Sequence, residues 1–564
     1  MAKKVVYPLN YNPVLEYWYK IESGEEIVSY KIHQWYKYLA HLINNPGEYF
    51  YSHKRANHIL EFAENYCKLS KGAGAGRQVR LELWEKALLA AVFGIIDING
   101  NRMCREALLI VGKKNGKSLI SSIVGLYLLV GDGEAGPEVY AVATKKDQAK
   151  IIWNESKRMV RKSPTLLRRI KPLVAELSSE LYNDGIFKPL ASDSDTLDGL
   201  NVHGALMDEI HQWKNGKALY DIMADGTTAR EQPLVFVTST AGTVREDIYD
   251  QKYEEAERVI NGLFDENGYK DIHLFPFIYE LNNRKQWTDP NCWKMANPGL
   301  GTIKKVEQLE AKVKKAMENP ALVKNLVCKE FNIRETSSEA WLTFEQLNNT
   351  ATFDVKELKP RYGIGGVDLS STTDLTNATV IFKVPDDKTI YVLQMYWLPE
   401  DLLEKKVKED KIPYDLWHEQ GLLRLCPGNK IHYKFVTEWF QEIRNEYDIY
   451  LFKCGYDSWS ATYFVEEMNN EFGKTVMEPV IQGKKTLSSP MKSLGADLEK
   501  KLVNYNNNPI LKWCLTNTSV DVDKNNNIQP AKSNLGTRRI DGMAGLLDAY
   551  VCLERNLEEY ESMI

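Results

Sequence analysis

Zinc and disulfide frameworks are the first things this sequence lacks. Its 8 cysteines among 564 residues are scattered, with no Cys-x-x-Cys pair and no Cys/His zinc spacing, so they read as buried reduced thiols. No apolar run approaches the roughly 20 residues of a membrane helix. Residues 1–13 lack the apolar core, about 7–15 residues long, of a signal peptide, so the chain is expected to stay in the cytoplasm. A basic excess is missing too: 72 Lys and Arg stand against 77 Asp and Glu, a net charge of −5. That balance argues against a simple coating protein for nucleic acid. It leaves room for an enzyme that touches DNA through a few loops, or that holds metal with clustered carboxylates. The 9 histidines are dispersed and suggest no chemistry. There is no internal repeat and no long low-complexity tract.

The composition that remains is that of a globular protein, with 43% hydrophobic and 26% charged residues. At roughly 100–200 residues per domain, the length predicts two or three domains. Residues 1–75 read mostly as helix, closing on the glycine-rich junction Lys71-Gly-Ala-Gly-Ala-Gly-Arg77. Strand and helix patterns alternate over 76–335. Residues 336–359 read as a linker, and a second alternation fills 360–564. The fold class predicted is α/β, with a central sheet in each half.

In the first half, the apolar run Ala107 to Val111 precedes Gly112-Lys-Lys-Asn-Gly-Lys-Ser118, and an apolar helix follows. Strand, glycine loop, Lys-Ser and helix form the context of a phosphate-binding loop for ATP. Gly112, Lys114, Asn115 and Gly116 would cradle phosphates with Lys117 reaching the β- and γ-phosphates, and Ser118 would hold Mg²⁺. Taken alone, the loop competes with a Lys-rich turn, because Val111 stands where the first glycine is usual. The downstream order decides. Gly204-Ala-Leu-Met-Asp-Glu209 ends an apolar strand in two acids, of which Asp208 would bind Mg²⁺ and Glu209 would deprotonate the attacking water. Pro233 to Gly242 reads as a further strand leaving through Thr238, Ser239 and Thr240, hydroxyls placed to sense a γ-phosphate. Leu81 to Lys86 opens an amphipathic helix that would cover the adenine side. The basic segment 150–171, with Arg158 and Arg161, would meet DNA phosphates, a neighbouring subunit, or only solvent.

The second half delivers aspartates to strand ends. Arg361 to Asp368 and Ile449 to Asp457 both read as strands closing on Asp. The last helix opens at Asp541, with Asp548 seven residues on and on the same face. Three strands, a strand with helical crossovers and a closing helix make a ribonuclease-H-like layout. In it such acids converge to hold two Mg²⁺ or Mn²⁺ ions for phosphodiester cleavage.

The ordered set resembles the large terminase subunit of tailed double-stranded DNA bacteriophages. The match is carried by Lys114-Asn-Gly-Lys-Ser118, Met207-Asp-Glu209, Thr238 to Gly242, Trp293 with Asn297-Pro298, Val367-Asp-Leu-Ser370 with Asp374-Leu-Thr376, Gln482-Gly483 and Ile540-Asp-Gly542. The resemblance implies a P-loop additional-strand ATPase domain followed by a ribonuclease-H-like nuclease domain. It implies a motor that packages double-stranded DNA into the procapsid and cuts concatemers. The implied partners are DNA, the portal protein, the small terminase subunit and further copies in a ring, with a monomer expected in isolation. The implied place is the host cytoplasm at the portal vertex, outside the finished virion. By position it assigns Asp368, Asp457 and Asp541 as metal ligands, with Asp374 and Asp548 as supporting acids. A DNA helicase or translocase-nuclease of repair is the alternative, and it would need a second motor core instead. Two departures stand out. Lys113 replaces a common arginine and offers γ-phosphate only a point charge. Glu85 stands where glutamine is usual and, as a carboxylate, accepts from adenine without donating. An arginine finger in trans is expected, with Arg230, Arg158 and Arg161 as candidates.

Overall fold

The computed structural model describes residues 4–564 except 73, 193–198, 214–215, 243–246, 320–321, 336–339, 371–374, 411, 458–461, 524 and 533–538. The chain divides into two compact units, one of Met1–Thr243 with Asp247–Arg334 and one containing Glu335–Ile564.

In the first unit, helices α1 (Pro13–Glu22), α2 (Tyr30–Asn44) and α3 (His53–Tyr66) begin at Asn12, Ser29 and Ser52, whose side chains accept from the third residue onward. They build no separate body. Trp35, Tyr36 and Leu60 enter one hydrophobic core with α4 (Leu83–Gly94) and the sheet, where Trp35 meets Phe275 edge-on at 5.2 Å. The pattern over Leu81 to Lys86 suggested a helix with one polar face. Instead α4 is buried at Trp84, Glu85 and from Ala87 to Gly94, because α1 and α3 both pack on it.

The sheet comprises β1 (Glu106–Ile110), β2 (Glu138–Ala143), β3 (Lys171–Pro172), β4 (Leu177–Ser179), β5 (Gly185–Ala191), β6 (Val202–Asp208), β7 (Leu234–Ser239) and β8 (Leu274–Ile278), in the order β8-β1-β7-β6-β2-β5-β4-β3. Pairing is parallel from β8 to β5 and antiparallel in the last two steps. Strands buried on both faces read as continuous apolar runs, which is why Leu234 to Val237 shows no alternation. Helix α5 (Lys117–Val130) packs with Leu109, Leu206 and Phe236 on one face, and α7 (Ile248–Gly262), which follows α6 (Lys146–Lys162), packs with Leu108, Met207 and Val235 on the other. β7 lies between β1 and β6, the inserted strand of the additional-strand class. Ile110 pairs with Ser239 and Asp208 with Thr238, so the loop after β1, the acids after β6 and the hydroxyls after β7 leave one edge together. Helices α8 (Val306–Glu318) and α9 (Val323–Phe331) end this unit.

The second unit has β9 (Tyr362–Asp368), β10 (Thr376–Phe382), β11 (Ile390–Pro399), β12 (Leu423–Cys426), β13 (Tyr450–Asp457) and β14 (Met477–Val480), ordered β12-β11-β10-β9-β13-β14. β9, β10 and β11 are an antiparallel meander, and β13 and β14 run parallel to β9. Helix α10 (Lys434–Tyr447) covers the face that carries Val367 and Cys454. Helix α11 (Asp541–Arg555) lies on the other, touching the backbone. A Cβ on Gly366 would stand 2.1 Å from the Gly545 carbonyl oxygen, and one on Gly455 would stand 2.4 Å from that of Asp548. Bare backbone at these positions lets the helix sit directly on the strands.

Gly366→Ala is therefore expected to lift α11 and destabilise the second unit by about 3 kcal/mol, the upper end of ordinary overpacking costs. Urea unfolding of the full chain followed by tryptophan fluorescence measures it. An unmoved midpoint would show that the helix yields freely.

Candidate active sites

The phosphate-loop sequence becomes regular once its surroundings are seen. Val111 is buried and prolongs β1, its N–H donating to the Ser239 carbonyl at 3.2 Å. The glycine is needed one residue later. A Cβ on Gly112 would fall 2.4 Å from Asn297 Oδ1 and 2.6 Å from the Glu330 carbonyl oxygen. Gly116 caps α5 at φ +84°, in the left-handed region.

A polar clamp holds this loop. Gly112 N–H donates to the Ala296 carbonyl and Lys113 N–H to that of Lys329, each at 2.9 Å. The Asn115 amide donates to Gly112 O at 2.8 Å and to Asn297 Oδ1 at 2.9 Å, while its oxygen accepts from Gly299 N–H at 3.1 Å. Lys304 Nζ donates to Asn297 Oδ1 at 2.5 Å and to Glu330 Oε2 at 2.6 Å, inside the protein. Burial pulls the Lys304 ammonium below its ordinary pKa although Glu330 favours the charge, so this pair is set against its own desolvation. Asn297→Ala strands donors on Asn115 and Lys304 at once. With about 1–3 kcal/mol per orphaned buried group, ATP binding is expected to weaken by roughly tenfold or more. Fluorescent-nucleotide titration reads this, and wild-type affinity in the variant would show that the clamp does not shape the loop.

Lys117 is buried, with Nζ 3.3 Å from the Val111 carbonyl oxygen and 3.3 Å from the Glu209 carboxylate. Asp208 ends β6 and accepts the Thr238 hydroxyl at 2.7 Å. Glu209 then takes φ +51°, and its N–H donates to the Thr238 carbonyl at 2.7 Å. A left-handed glutamate is a strained residue, and here the turn places its carboxylate against Lys117 and, at 3.2 Å, against the His211 ring. The two acids titrate apart. Burial, then the charge of Glu209, pushes the Asp208 carboxyl up to about 6. Burial also opposes ionisation of Glu209, but Lys117, His211 and Lys113 override it and hold the carboxyl below the usual range. Such a split suits a pair of acids with two different tasks. Ser118 is half-buried at the first turn of α5. The Thr240 hydroxyl and Glu85 Oε1 are buried and, among the described residues, have no hydrogen-bond partner. These unsatisfied polar atoms around the loop, together with oxygen donors on Ser118 and Asp208, suit a nucleotide with Mg²⁺.

His211 carried no expectation from sequence, although its place directly after the acid pair was the available signal. It also contacts the Ser239 hydroxyl at 3.0 Å. Arg230 lies at the opposite edge of the sheet from the phosphate loop. Its guanidinium donates to the carbonyls of Ala135 and Gly136, each at 2.7 Å, and to that of Asn201, where β2 and β6 begin and not where they end. Arg158 donates to Glu155 at 2.8 Å, and Arg161 is exposed.

In the second unit Val367 pairs with Tyr456, which sets the neighbouring strand ends Asp368 and Asp457 side by side. Asp368 also pairs with Asn377, and Asn377 with Tyr396. Strand alternation sends this transverse row to the face of Gly366 and Gly455, where α11 lies. The turn after Asp368 is held by Thr376, whose hydroxyl donates to Ser370 O at 2.7 Å and accepts its N–H at 3.1 Å. Asp541 and Asp548 are each 3% exposed on α11. Asp541 and Asp368 both act on the buried Cys514 thiol, so they share one locality. The Gln482 amide donates to Asp548 at 3.1 Å. Burial first, and Asp457 as well, raises the Asp548 carboxyl to about 8 against that hydrogen bond. Carboxylates that repel each other in a buried place suit divalent cations. Among the described residues no three such side chains yet close around one point as an ion cage. Asp374 lies outside the described residues.

Two family models match the chain one after the other. The model of the terminase large subunit endonuclease domain matches residues 269–555, and that of the ATPase domain matches 83–258. The terminase large subunit of Enterobacteria phage HK97 is 27% identical over 496 residues, covering 87% of this chain and 94% of that one. That of Lactococcus phage p2 is 23% identical over 501 residues, covering 84% and 87%. The crystal structure of the HK97 large terminase aligns with a TM-score of 0.47 at 25% identity, covering 88% of this chain and 99% of that one. Matched over half its length by the endonuclease model, and over much of the remainder by the ATPase model, the chain belongs to the terminase large subunit family and joins a DNA-packaging ATPase to a nuclease.

Proposed function

We propose that this chain drives double-stranded DNA into a procapsid and cuts concatemers, with the following division of labour. Residues 76–335 hold the ATPase, 360–564 the nuclease, 336–359 the linker, and 1–75 form a helical base. The loop from Gly112 to Ser118 binds ATP, Lys117 and Lys113 place positive charge at its terminal phosphates, and Ser118 and Asp208 hold Mg²⁺. Glu209 takes the proton of the attacking water, and Thr240 senses the γ-phosphate. Asp368, Asp457 and Asp541, backed by Asp548, hold two divalent cations, which polarise the scissile phosphate when bound. The observation that carries this reading is the pairing of Lys117, Glu209, Asp208 and Thr238 at one sheet edge with the row of Asp368 and Asp457 in a second sheet.

The reading extends to assembly. The chain acts in the host cytoplasm as a ring docked on the portal protein, supplied with DNA by the small terminase subunit. Arg230 is fully engaged at the strand-start edge, so exposed Arg161 is the better trans finger, ahead of the Glu155-bound Arg158. The test is ATP hydrolysis and plasmid cleavage by the purified chain with Mg²⁺ or Mn²⁺. Hydrolysis should rise with added double-stranded DNA. Hydrolysis indifferent to DNA at every protein concentration would remove the translocation reading.

A further inference from the structure

Glu85 makes the most unusual chemical claim on the nucleotide site. It occupies the third position of α4, where its Oε2 accepts the Glu82 N–H at 2.9 Å in a capping box. Its Oε1 is buried and has no hydrogen-bond partner among the described residues. That atom lies 3.0 Å from the point a Cβ on Gly116 would occupy, with Ile303 Cδ1 at 4.0 Å from the same point. The side chain is therefore sealed against the phosphate loop, 1% exposed, while Ile303 stays 39% exposed beside it.

A carboxylate in that position would present a bare anion to a loop that must receive a polyphosphate. A carboxylic acid behaves differently. Since Oε2 is already engaged as an acceptor, the proton belongs on Oε1, and the group becomes a donor aimed at the loop. We propose that Glu85 serves the nucleotide site as a neutral acid, its Oε1–H donating to a nucleotide seated on the 112–118 loop, so that nucleotide binding is coupled to retention of one proton. The proposal rests on the reading that ATP occupies this loop.

The surroundings favour the neutral form. Burial is the main cause that pushes the Glu85 carboxyl up to about 8; the Glu82 N–H opposes it, the Glu82 and Glu64 carboxylates add to it, and Lys86 opposes it weakly. Glu64 comes from α3, and Lys86 on α4 is turned over the Tyr7 ring. Helix α1, also packed on α4, carries Glu16, Lys20 and Glu22, with Lys20 held by Glu25. From the loop, Lys117 is committed to Glu209, and from the Ile303 segment Lys304 is committed to Glu330. Lys113 likewise acts on Glu209, which leaves Lys86 as the cation that bears on the Glu85 carboxyl. A bound polyphosphate adds negative charge and raises the carboxyl further. Affinity is thus full below pH 8 and falls as pH rises through the value of the empty site, by up to tenfold per pH unit.

Calorimetric titration of the full chain with Mg-ATP from pH 7.5 to 9.5, in paired buffers of different ionisation enthalpy, decides this. Wild type should show falling affinity above pH 8 and net proton uptake on binding that approaches one. Glu85→Gln keeps a donor without a titrating proton, so its affinity and proton count should no longer change with pH. Glu85→Ala should bind about tenfold more weakly at pH 7.5, also without slope. A purely structural glutamate would change unfolding temperature with pH but leave ATP-linked proton uptake at zero. Flat wild-type affinity, absent proton uptake, or an equally steep Glu85→Gln would each overturn the proposal, and the wild-type arms decide it even if the variants fail to fold. Lys117→Ala separates the underlying reading: undiminished ATP binding there would unseat the loop itself.

Discussion

Replacing Glu209 by Gln is expected to leave ATP binding in place and slow turnover by about 10²–10⁴-fold, the usual share of a general base. The amide matches the carboxylate in size, so the left-handed turn between Asp208 and Ile210 and the hydrogen bond from its N–H to Thr238 O remain. What disappears is the proton acceptor. The wild-type carboxyl is held below its ordinary range by Lys117 and His211 against the opposing effect of burial, so it stays ionised and basic throughout the neutral range. Its contribution is complete above the ordinary carboxylate pKa and is lost only as pH falls through the depressed value. Single-turnover hydrolysis with parallel nucleotide binding reads both halves. Near-normal hydrolysis by the variant would remove Glu209 from the base role and shift attention to Asp208.

The second large effect belongs to the other unit. Asp368→Asn should reduce plasmid cleavage in Mg²⁺ or Mn²⁺ by roughly three orders of magnitude, the scale of losing several kcal/mol of metal-centred stabilisation. ATP hydrolysis should persist. Asp368 ends β9 directly beside Asp457 at the end of β13, under the helix that brings Asp541 and Asp548. Removing one of these neighbouring negative charges relieves repulsion in the protein without metal. Thermal stability without metal should therefore hold or rise, while the rise on adding Mn²⁺ shrinks. That opposite movement separates a lost ligand from a damaged fold. Cleavage that survives in Asp368→Asn would mean the proposed row is not the cutting site.

Much of this architecture was legible because it is local. A strand that ends in Asp, or a glycine loop between a strand and an apolar helix, is written in consecutive residues. So β1, β6, β7, β9 and β13 and their terminal side chains follow from pattern alone. The unforeseen parts depend on contacts distant in sequence. Asn115 and Asn297 meet across 182 positions, with Lys304 and Glu330 behind them, and no periodicity marks such a clamp. The burial of α4, which decides the protonation of Glu85, comes from two helices of the N-terminal region that looked separable. The contacts of Arg230 were equally hidden, because an arginine before a strand has the same local pattern whether it is free or, as here, bonded to carbonyls at neighbouring strand starts. The offset glycine is the inverse case. It looked irregular in isolation, and became necessary once Asn297 and the Glu330 carbonyl were found pressed against it.

The direct seating of α11 on Gly366 and Gly455 also sets an order of events during synthesis. Every strand of the ATPase sheet lies before residue 279, whereas Asp541 and Asp548 arrive only with the last long helix. A ribosome would release a foldable motor unit first, domains generally folding as units from the N-terminal side. The proposed cutting centre cannot take shape until α11 has emerged and docked on the bare backbone of β9 and β13. On the proposed assignment each copy is able to grip nucleotide before it is able to break DNA, and the delay is written into the sequence position of one helix.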